Sequence, residues 1–524
     1  MSETTTTIAG TRVTGMRPNT GLLLLAVGVC FLMVMMDNTI LNVALRDIQR
    51  DLTASTAQLQ WAVDSYILVY AALMFTAGVL ADRFGRRRLL VIGLLIFAVA
   101  SALSAWASTP EQLIFWRAVM GLGGAVVPPA TLAIIKDGIP EKDQGKAMGI
   151  WAALGGLSVA FGPILGGTLL NYFWWGSVFL INLPIAAVCL PLLYLVVPES
   201  KSLVKRRLDL PGLVLAAAAT SLLVSGVIEA GSTGKWLELN SGGFIGLGLV
   251  LVGVLIAVEG RTKSPALDVT LFRRAAFSGG TLAISLAFFA LTGGTFLLVF
   301  FVQLILGKTP LELGLLLLPV AVGSVVSAVG SAGLVRALGF KLTTTLGLLA
   351  LAGALSTFLL VDAQSSFLLL EAGLFLAGLG MGAVMGSTTT LVMSVVDVQK
   401  AGVGSAVNNT LRQVGAALGV ATLGSVLSMI YKDQLGQTLA VLPSDLKEKA
   451  EDSLGATTYV LEQVGKAMPD HAQAIQEALL QAQAAFINAM HSTFLVGIVI
   501  LLIGAIIAAI WIPKRVLVEK ADAE

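Results

Sequence analysis

Residues 21–36 read GLLLLAVGVCFLMVMM, a continuous apolar run without a charged side chain. Continuous apolarity is typical of a membrane-spanning helix, whereas the strands of a membrane β-barrel alternate in short segments. Similar runs recur along the chain, ending with FLVGIVILLIGAIIAAIWI at residues 494–512, and we predict fourteen spans. Only 12% of residues are charged, against about 25% in soluble proteins. The sequence therefore predicts an all-α polytopic membrane protein.

The distribution of basic residues indicates which side of the membrane each connection lies on. Most of the 33 Lys and Arg fall in connections on the same side as the N-terminus, so the positive-inside rule predicts that both termini are cytoplasmic. Two longer basic connections divide the spans into groups of six, two and six. The predicted organisation is a tail at 1–20, a six-helix bundle at 21–198, linker segments with two extra helices at 199–276, a six-helix bundle at 277–513 and a tail at 514–524.

One connection is much longer than the others. Residues 431–490 are rich in helix formers with apolar residues at three- and four-residue spacing, which predicts an extracellular helical hairpin. It could cap an outward opening, or it could be a dispensable covering, as long loops often are.

The residue inventory argues against several kinds of site. Cys30 and Cys189 both lie in apolar runs, so the sequence predicts neither a disulfide framework nor a thiolate metal site. His471 and His491 lie outside the main block of spans. Without a nucleophile and base or a metal cluster in the spans, an enzyme is not expected. We predict no cofactor, no metal and no nucleic-acid partner.

Three charged residues within spans are the first functional candidates. Asp37, Asp64 and Arg117 are predicted at similar depth in the outer half of the first, second and fourth spans. Burying a charge at mid-bilayer costs about 2.5–3.5 kcal/mol, and such residues commonly belong to proton or substrate pathways. An arginine favours the ionised carboxylate and desolvation favours the protonated one, so the group could load and release protons. The alternative is an ion pair that only fixes helix packing.

A second polar patch lies in the thirteenth span, in the sequence NNTLRQVG. Its amides and its arginine should face protein or a cavity, and a substrate path and interhelical hydrogen bonding are equally good readings. Apolar and aromatic residues of the first two spans could add an adaptable wall, although Trp near a span end is often an interfacial anchor. The predicted pathway residues are Met36, Trp61, Tyr66, Asn408, Asn409, Arg412 and Gln413.

The second-to-third connection carries the most specific motif, GVLADRFGRRR at residues 78–88. Glycine suits close helix approach and a tight turn, while the arginines supply inside-positive charge. The segment resembles the signature of the major facilitator superfamily, and a weaker counterpart, GLVRALGFK, begins at Gly333. The resemblance implies two six-helix bundles that rock around a central site. It also implies a conformational latch made by Gly78, Asp82, Arg83, Gly85, Arg86 and Arg87.

Further segments narrow this resemblance. MMDNTILNVAL around Asp37, LIFWRAVMGLGGA around Arg117 and FGPILGGTL in the fifth span resemble motifs of EmrB/QacA-type, fourteen-span drug:proton antiporters. The fifth-span resemblance implies an antiporter motif at Gly149, Gly162, Pro163, Gly166 and Gly167. Relatives that export divalent cations carry acids in the tenth and thirteenth spans, which here read LPVAVGSVVS and NNTLRQVG. The absence of those acids favours monovalent lipophilic cations or neutral antibiotics.

The sequence thus predicts a multidrug efflux transporter of the cell membrane. It would exchange hydrophobic drugs or lipophilic cations for protons by alternating access, with the proton as its coupling ion. We expect it to act as a monomer in contact with membrane lipid and to confer antibiotic resistance. The alternative is an exporter of an endogenous metabolite or lipid, for which drug resistance would be incidental.

Overall fold

A computed structural model describes most of the chain. The described residues are 5–8, 11–14, 19–54, 56–202, 210–233, 236–260, 269–396, 401–435, 454–467 and 472–515. Within these ranges the structure is almost entirely helical.

The described residues up to 196 form eight α-helices. They are α1 (Thr20–Leu52), α2 (Thr56–Phe84), α3 (Arg86–Ala105), α4 (Pro110–Gly124), α5 (Val127–Gly138), α6 (Glu141–Tyr172), α7 (Ser177–Leu180) and α8 (Asn182–Val196). Local sequence sets several of the starts: the side chain of Asn19 accepts a hydrogen bond from the Gly21 N–H, and Thr109 precedes Pro110 at the first position of α4. The helices α4 and α5 form one span with a break at Ala125 and Val126.

The described residues from 210 onwards form nine further α-helices. They are α9 (Leu210–Thr233), α10 (Phe244–Glu259), α11 (Ala275–Phe300), α12 (Pro310–Leu316), α13 (Leu318–Phe358), α14 (Phe367–Ser394), α15 (Ala401–Leu435), α16 (Leu454–Ala467) and α17 (Ala472–Trp511). Single π-helical turns, Leu239–Gly243 and Phe301–Ile305, precede α10 and follow α11.

Twelve helical segments among the described residues are long and apolar enough to cross a membrane, and Pro211–Val227 is a shorter apolar helix. The predicted class of polytopic, helical membrane protein is confirmed. One of the twelve, Leu311–Phe358, contains 48 residues. At about 1.5 Å per residue it is more than twice as long as a hydrocarbon core of about 30 Å. It includes a break in α13 at Gly339, whose backbone is not helical.

Two glycine turns occupy corresponding places in the two predicted six-helix bundles, 21–198 and 277–513, which we call the first and second halves. Gly85 separates α2 from α3 with a φ of 114°, and Gly339 interrupts α13 with a φ of 83°. Residues with a Cβ rarely adopt such angles, so glycine is required at both turns. Glu199, which follows α8, covers the first turn, and the carbonyl of Lys514, which follows α17, covers the second. The Phe340 N–H donates to that carbonyl at 3.0 Å.

The sequence analysis missed a small β-sheet. The strands β1 (Thr5–Ile8), β2 (Thr11–Thr14) and β3 (Glu199–Ser202) pair antiparallel in that order, with Thr5 opposite Thr14 and Thr14 opposite Glu199. The N-terminal tail and the connection after α8 therefore lie on the same side of the molecule. Threonine favours strands, but nothing in the sequence indicates that these distant segments pair.

The antiporter-like glycines of α6 lie where helices meet closely. A Cβ at Gly149 would collide with the Ala328 carbonyl of α13, and one at Gly167 would press on Leu311 of α12 at 3.2 Å. The two halves therefore pack together along most of α6. Glycines 162 and 166 lie against α1 instead, at Thr39 and Ile40, and Pro163 lies beside Gly314 of α12.

The described part of 431–490 is helical. The end of α15 is tied to α16 by a hydrogen bond of 2.7 Å between the hydroxyls of Tyr431 and Thr457, and Tyr431 also packs edge-on against Phe486 of α17. The helix α17 is 40 residues long, so at about 1.5 Å per residue it extends well beyond one hydrocarbon core. Residues 436–453 and 468–471 of the predicted hairpin lie outside the described residues.

Candidate functional site

Two of the three charged span residues form a buried ion pair. The Arg117 guanidinium of α4 bonds to the Asp37 carboxylate near the middle of α1, and both side chains are almost completely buried. Each charge is costly to bury alone, and pairing them offsets much of that cost. The predicted proximity of Asp37 and Arg117 is therefore present in the structure.

Other groups hold Arg117 in this orientation. Its Nε donates to the Ala62 carbonyl of α2 at 3.1 Å, and its guanidinium lies over the Tyr66 ring at 4.3 Å. A cation over an aromatic face is attracted by the ring quadrupole, more strongly when it is desolvated. The pair is thus anchored to a second helix through Arg117.

Asp37 also accepts a hydrogen bond from a residue of another helix. The Asn182 amide at the start of α8 donates to its Oδ1 at 3.0 Å and to the Ser101 hydroxyl of α3 at 3.0 Å. That hydroxyl in turn donates to the Phe179 carbonyl at 2.8 Å. The carboxylate therefore accepts hydrogen bonds from two helices, and its charge can be lost only by taking up a proton.

Asp64 lies on α2, the helix that also holds Arg117 in place. It is half-buried, two residues after Ala62, whose carbonyl accepts from Arg117. The expected cluster of two carboxylates at this arginine stays a prediction, because depth along a helix leaves the direction of a side chain around the helix axis undetermined.

The signature loop forms a second buried cluster. Arg86 bonds to Asp82 at 2.7 and 2.9 Å and also to Asp137 at the end of α5. Arg87 donates to the Val197 carbonyl at 3.0 Å, whereas Arg83 is exposed. We call Asp82, Arg86 and Asp137 the latch cluster. The sequence analysis did not predict Asp137 as part of it.

A lysine next to the latch cluster connects the two halves. The buried Lys136 of α5 donates to the Met393 carbonyl at 2.5 Å and to the Val396 carbonyl, at the end of α14. The last carbonyls of a helix lack intrahelical partners and carry partial negative charge, so a cation there is favourable. This contact joins α5 to the end of α14 beside the latch cluster.

A third buried arginine, Arg412, lies away from the ion pair and from the latch cluster. Arg412 of α15 is only 2% exposed, and its guanidinium is 4.8 Å from the Phe288 ring of α11 and 5.8 Å from the Phe31 ring of α1. Its Nη2 is 4.0 Å from the Met35 sulfur, while its Nε has no hydrogen-bond partner. Phe31 also stacks on Trp151 of α6 at 3.9 Å.

The amides preceding Arg412 are buried as well. Asn409 donates to the Ser405 carbonyl at 2.9 Å, and the Ser405 hydroxyl lies 3.5 Å from the Pro128 carbonyl of α5. The side-chain oxygens of Asn408 and Asn409 have no hydrogen-bond partner. Arg412 and these amides thus form a polar patch where α15 faces helices of the first half.

Two stacked tyrosines bridge the arginines. The Tyr66 and Tyr70 rings lie 5.6 Å apart with an interplanar angle of 14°. Tyr66 lies under Arg117, and the Tyr70 hydroxyl lies beside Arg412. Arg117 and Arg412 therefore lie at the two ends of one pair of stacked rings.

The remaining predicted pathway residues differ in exposure. Met36 is buried, Gln413 is half-buried, and Trp61 is 54% exposed at the beginning of α2. Trp61 lies on the surface and outside the patch around Arg412. The sequence analysis did not include Tyr70 and Phe288 in the pathway, because apolar spans contain many aromatics and no sequence signal selects the two that face an arginine.

Similar proteins support the motif-based resemblance. The Major Facilitator Superfamily family model matches residues 27–420. The tetracenomycin C resistance and export protein of Streptomyces glaucescens is 31% identical over 96% of this chain and 93% of its own length. The multidrug efflux pump LfrA of Mycolicibacterium smegmatis is 33% identical over 96% and 99%. The methyl viologen resistance protein SmvA of Salmonella typhimurium is 33% identical over 88% and 92%.

A solved structure supports the fold. The proton:xylose symporter XylE aligns with a TM-score of 0.60 and 13% identity, over 94% of this chain and 96% of that one. The predicted family is confirmed, and with it the expectation of a transporter and not an enzyme. This chain belongs to the Major Facilitator Superfamily, among the EmrB/QacA-type efflux transporters.

Proposed function

We propose that this protein exports hydrophobic drugs from the cell in exchange for protons. The observation that carries the proposal is the buried ion pair of Asp37 and Arg117, held by Asn182. A guanidinium keeps its proton in proteins. The carboxylate is therefore the member of the pair that can change charge.

Protonation of Asp37 would leave the Arg117 charge buried without a counterion, which is strongly unfavourable. The arginine must then move, gain water or find another acceptor, and each of these changes the packing of α4 against α1 and α2. Proton uptake is thereby coupled to a change of shape. Asp64, half-buried two residues after the carbonyl partner of Arg117, is our candidate for passing protons to Asp37 from outside.

The topology that we propose has fourteen spans with both termini in the cytoplasm. Counting Pro211–Val227 and dividing Leu311–Phe358 at Gly339 gives this number. The helices α9 and α10 would be the two extra spans between bundles at 21–198 and 277–513, and residues 431–490 would lie outside. The sheet that pairs the N-terminal tail with residues 199–202 supports a shared side for the tail and this connection.

In this orientation the latch cluster and Lys136 seal the cytoplasmic face. Opening that face would require Lys136 to leave the end of α14 and α6 to separate from α13, at contacts such as Gly149 against Ala328. We assign the signature-loop and fifth-span residues to this closure. The protein needs no second chain for it, so we propose that a monomer surrounded by lipid is the working unit.

The driving force is sufficient for one proton per cycle. At about 2.3 kcal/mol per charge per 100 mV, a proton-motive force of about 150 mV supplies about 3.5 kcal/mol. That free energy corresponds to an accumulation of a few hundredfold for a neutral substrate. Tetracenomycin C and multidrug relatives support antibiotics as the substrate class. SmvA widens the class to be tested to organic cations such as methyl viologen.

The test is transport into proteoliposomes under an imposed pH gradient. Ethidium and tetracycline would be the probes, and an entrapped pH dye would record proton movement. We expect Asp37→Asn to abolish both gradient-driven transport and substrate-dependent proton flux while substrate binding persists. Asp362→Asn is the matched control, because this carboxylate lies in an exposed turn between α13 and α14. Gradient-independent transport by the native protein, or an unaffected Asp37→Asn, would refute proton coupling at this acid.

A further inference from the structure

The buried charge of Arg412 lacks a carboxylate partner among the described residues. Beside its guanidinium lie the Phe31 and Phe288 rings, the Met35 sulfur and the Tyr70 hydroxyl, and its Nε has no hydrogen-bond partner. Arg117 and Arg86, by contrast, each bond directly to an aspartate. An unpaired buried charge is strongly destabilising, so its presence calls for an explanation.

The groups around Arg412 are also unsatisfied. The Tyr70 hydroxyl, the Arg412 Nε and the side-chain oxygens of Asn408 and Asn409 are all buried without a hydrogen-bond partner. Most buried polar atoms in folded proteins are satisfied, so several exceptions in neighbouring residues indicate a missing ligand. The guanidinium is a charged donor and the tyrosine hydroxyl can donate, so the ligand should bring an anionic acceptor to them, whereas the two amide oxygens are acceptors and would take a donor from the ligand or from a water bound with it.

The location of this patch suits a transported molecule. Arg412 belongs to the second half, but it contacts Met35 and Phe31 of α1 and lies beside Tyr70 of α2 in the first half. Transporters of this architecture bind their substrates between the halves. The Tyr66 and Tyr70 stack also places the patch one ring pair away from the Asp37 and Arg117 site.

We propose that Arg412 recognises an ionised acidic oxygen on an aromatic substrate. The carboxylate or phenolate would accept hydrogen bonds from the guanidinium and the Tyr70 hydroxyl, and its ring would pack against Phe31 and Phe288. This assignment rests on the proposed export function and names the substrate class of the same carrier. It differs from the sequence expectation, which favoured monovalent cations and neutral compounds.

An anionic substrate changes the electrical character of the cycle. Exporting a monovalent anion while importing one proton moves two positive charges inward, whereas a neutral substrate moves one and a monovalent cation moves none. A membrane potential without a pH gradient should therefore drive exchange of an aromatic anion and leave one-for-one exchange of a monovalent cation unaffected.

Binding of a matched pair of probes tests the proposal directly. 2-Naphthoate and 2-naphthylmethylammonium share one ring system and differ in charge. Their affinities for the purified full-length protein can be measured by titration at neutral pH. We expect the native protein to bind the naphthoate at least tenfold more tightly than the ammonium compound. Arg412→Gln should weaken naphthoate binding at least tenfold, and Arg412→Lys should retain most of it.

Two controls separate charge recognition from general damage. Arg50→Gln makes the same chemical change at an exposed arginine at the end of α1 and should leave both affinities unchanged. Phe288→Leu should weaken both probes, because the ring contact does not depend on charge. Size-exclusion chromatography and thermal melting confirm that each variant is folded.

The proposal is overturned if the native protein binds neither probe, prefers the ammonium compound, or binds naphthoate equally well after Arg412→Gln. In the last case Arg412 would serve helix packing through its aromatic contacts. Failure here is distinguishable from failure of proton coupling, because binding needs no gradient. A native protein that carries ethidium under a pH gradient but does not bind naphthoate would overturn this proposal and leave proton coupling intact.

Discussion

The ion pair of Asp37 and Arg117 should show an unequal response to loss of either partner. Asp37→Asn leaves the guanidinium charged and buried, and removing one partner of a buried pair costs about 3–5 kcal/mol. Arg117→Met leaves a carboxylate that can become neutral by taking up a proton and still accept a hydrogen bond from Asn182. We therefore expect Arg117→Met to be the milder change, increasingly so at low pH.

The double variant measures the coupling free energy between the two charges. Asp37→Asn combined with Arg117→Met removes both charges, so its destabilisation should be at least about 2 kcal/mol smaller than the sum of the single changes. Unfolding can be followed with a thiol-reactive dye, because Cys30 and Cys189 are both buried and become reactive only when the helices separate. The reasoning is refuted if the effects of the two changes simply add, or if Asp37→Asn melts like the native protein.

Three further predictions concern packing and closure. Gly162→Ala should destabilise the protein by about 1–3 kcal/mol because its Cβ would overlap α1, whereas Gly253→Ala, facing open space in α10, should be neutral or stabilising in the same melting assay. Lys136→Met should loosen the latch side and speed alkylation of a cysteine introduced by Met393→Cys, at a buried position whose carbonyl accepts from Lys136; unchanged labelling would argue against this closure. Burial raises the pKa of the Glu199 carboxyl despite two nearby arginines, so the folded protein holds that proton more tightly than the unfolded chain. Stability should fall as pH rises through the interval above the ordinary glutamate value, and Glu199→Gln should lack this dependence in melts from pH 4 to 7.

Charges in apolar spans were the most informative sequence signal for the site. Asp37 and Arg117 could be paired from sequence because each is costly to bury alone and both were placed at similar depth. Asp64 satisfied the same criteria, but depth along a helix does not determine direction around it, so the sequence could not decide whether this acid also faces the arginine. The sequence therefore identified the candidate proton site but not the full set of residues that form it.

Contacts between distant spans were beyond sequence reasoning. Asn182, which bonds to Asp37, and Asp137, which bonds to Arg86, stand out as polar residues near apolar runs, yet their partners depend on which helices are neighbours. The lack of a carboxylate beside Arg412 could be recognised only after α1, α2, α11 and α15 were placed around it. The sheet of residues 5–14 and 199–202 was missed for the same reason.

The two covered glycine turns have a mechanical consequence. In each half, the backbone that leaves the last span returns to the turn between the second and third spans, at Gly85 through Glu199 and at Gly339 through Lys514. In each half, a contact therefore ties the end of the last span to the turn after the second span. When the two halves rock against each other, the contacts between them should change, while these contacts within each half should stay intact. The protein should consequently tolerate a chain break between the two halves, and the two fragments expressed separately should reassemble into a working carrier.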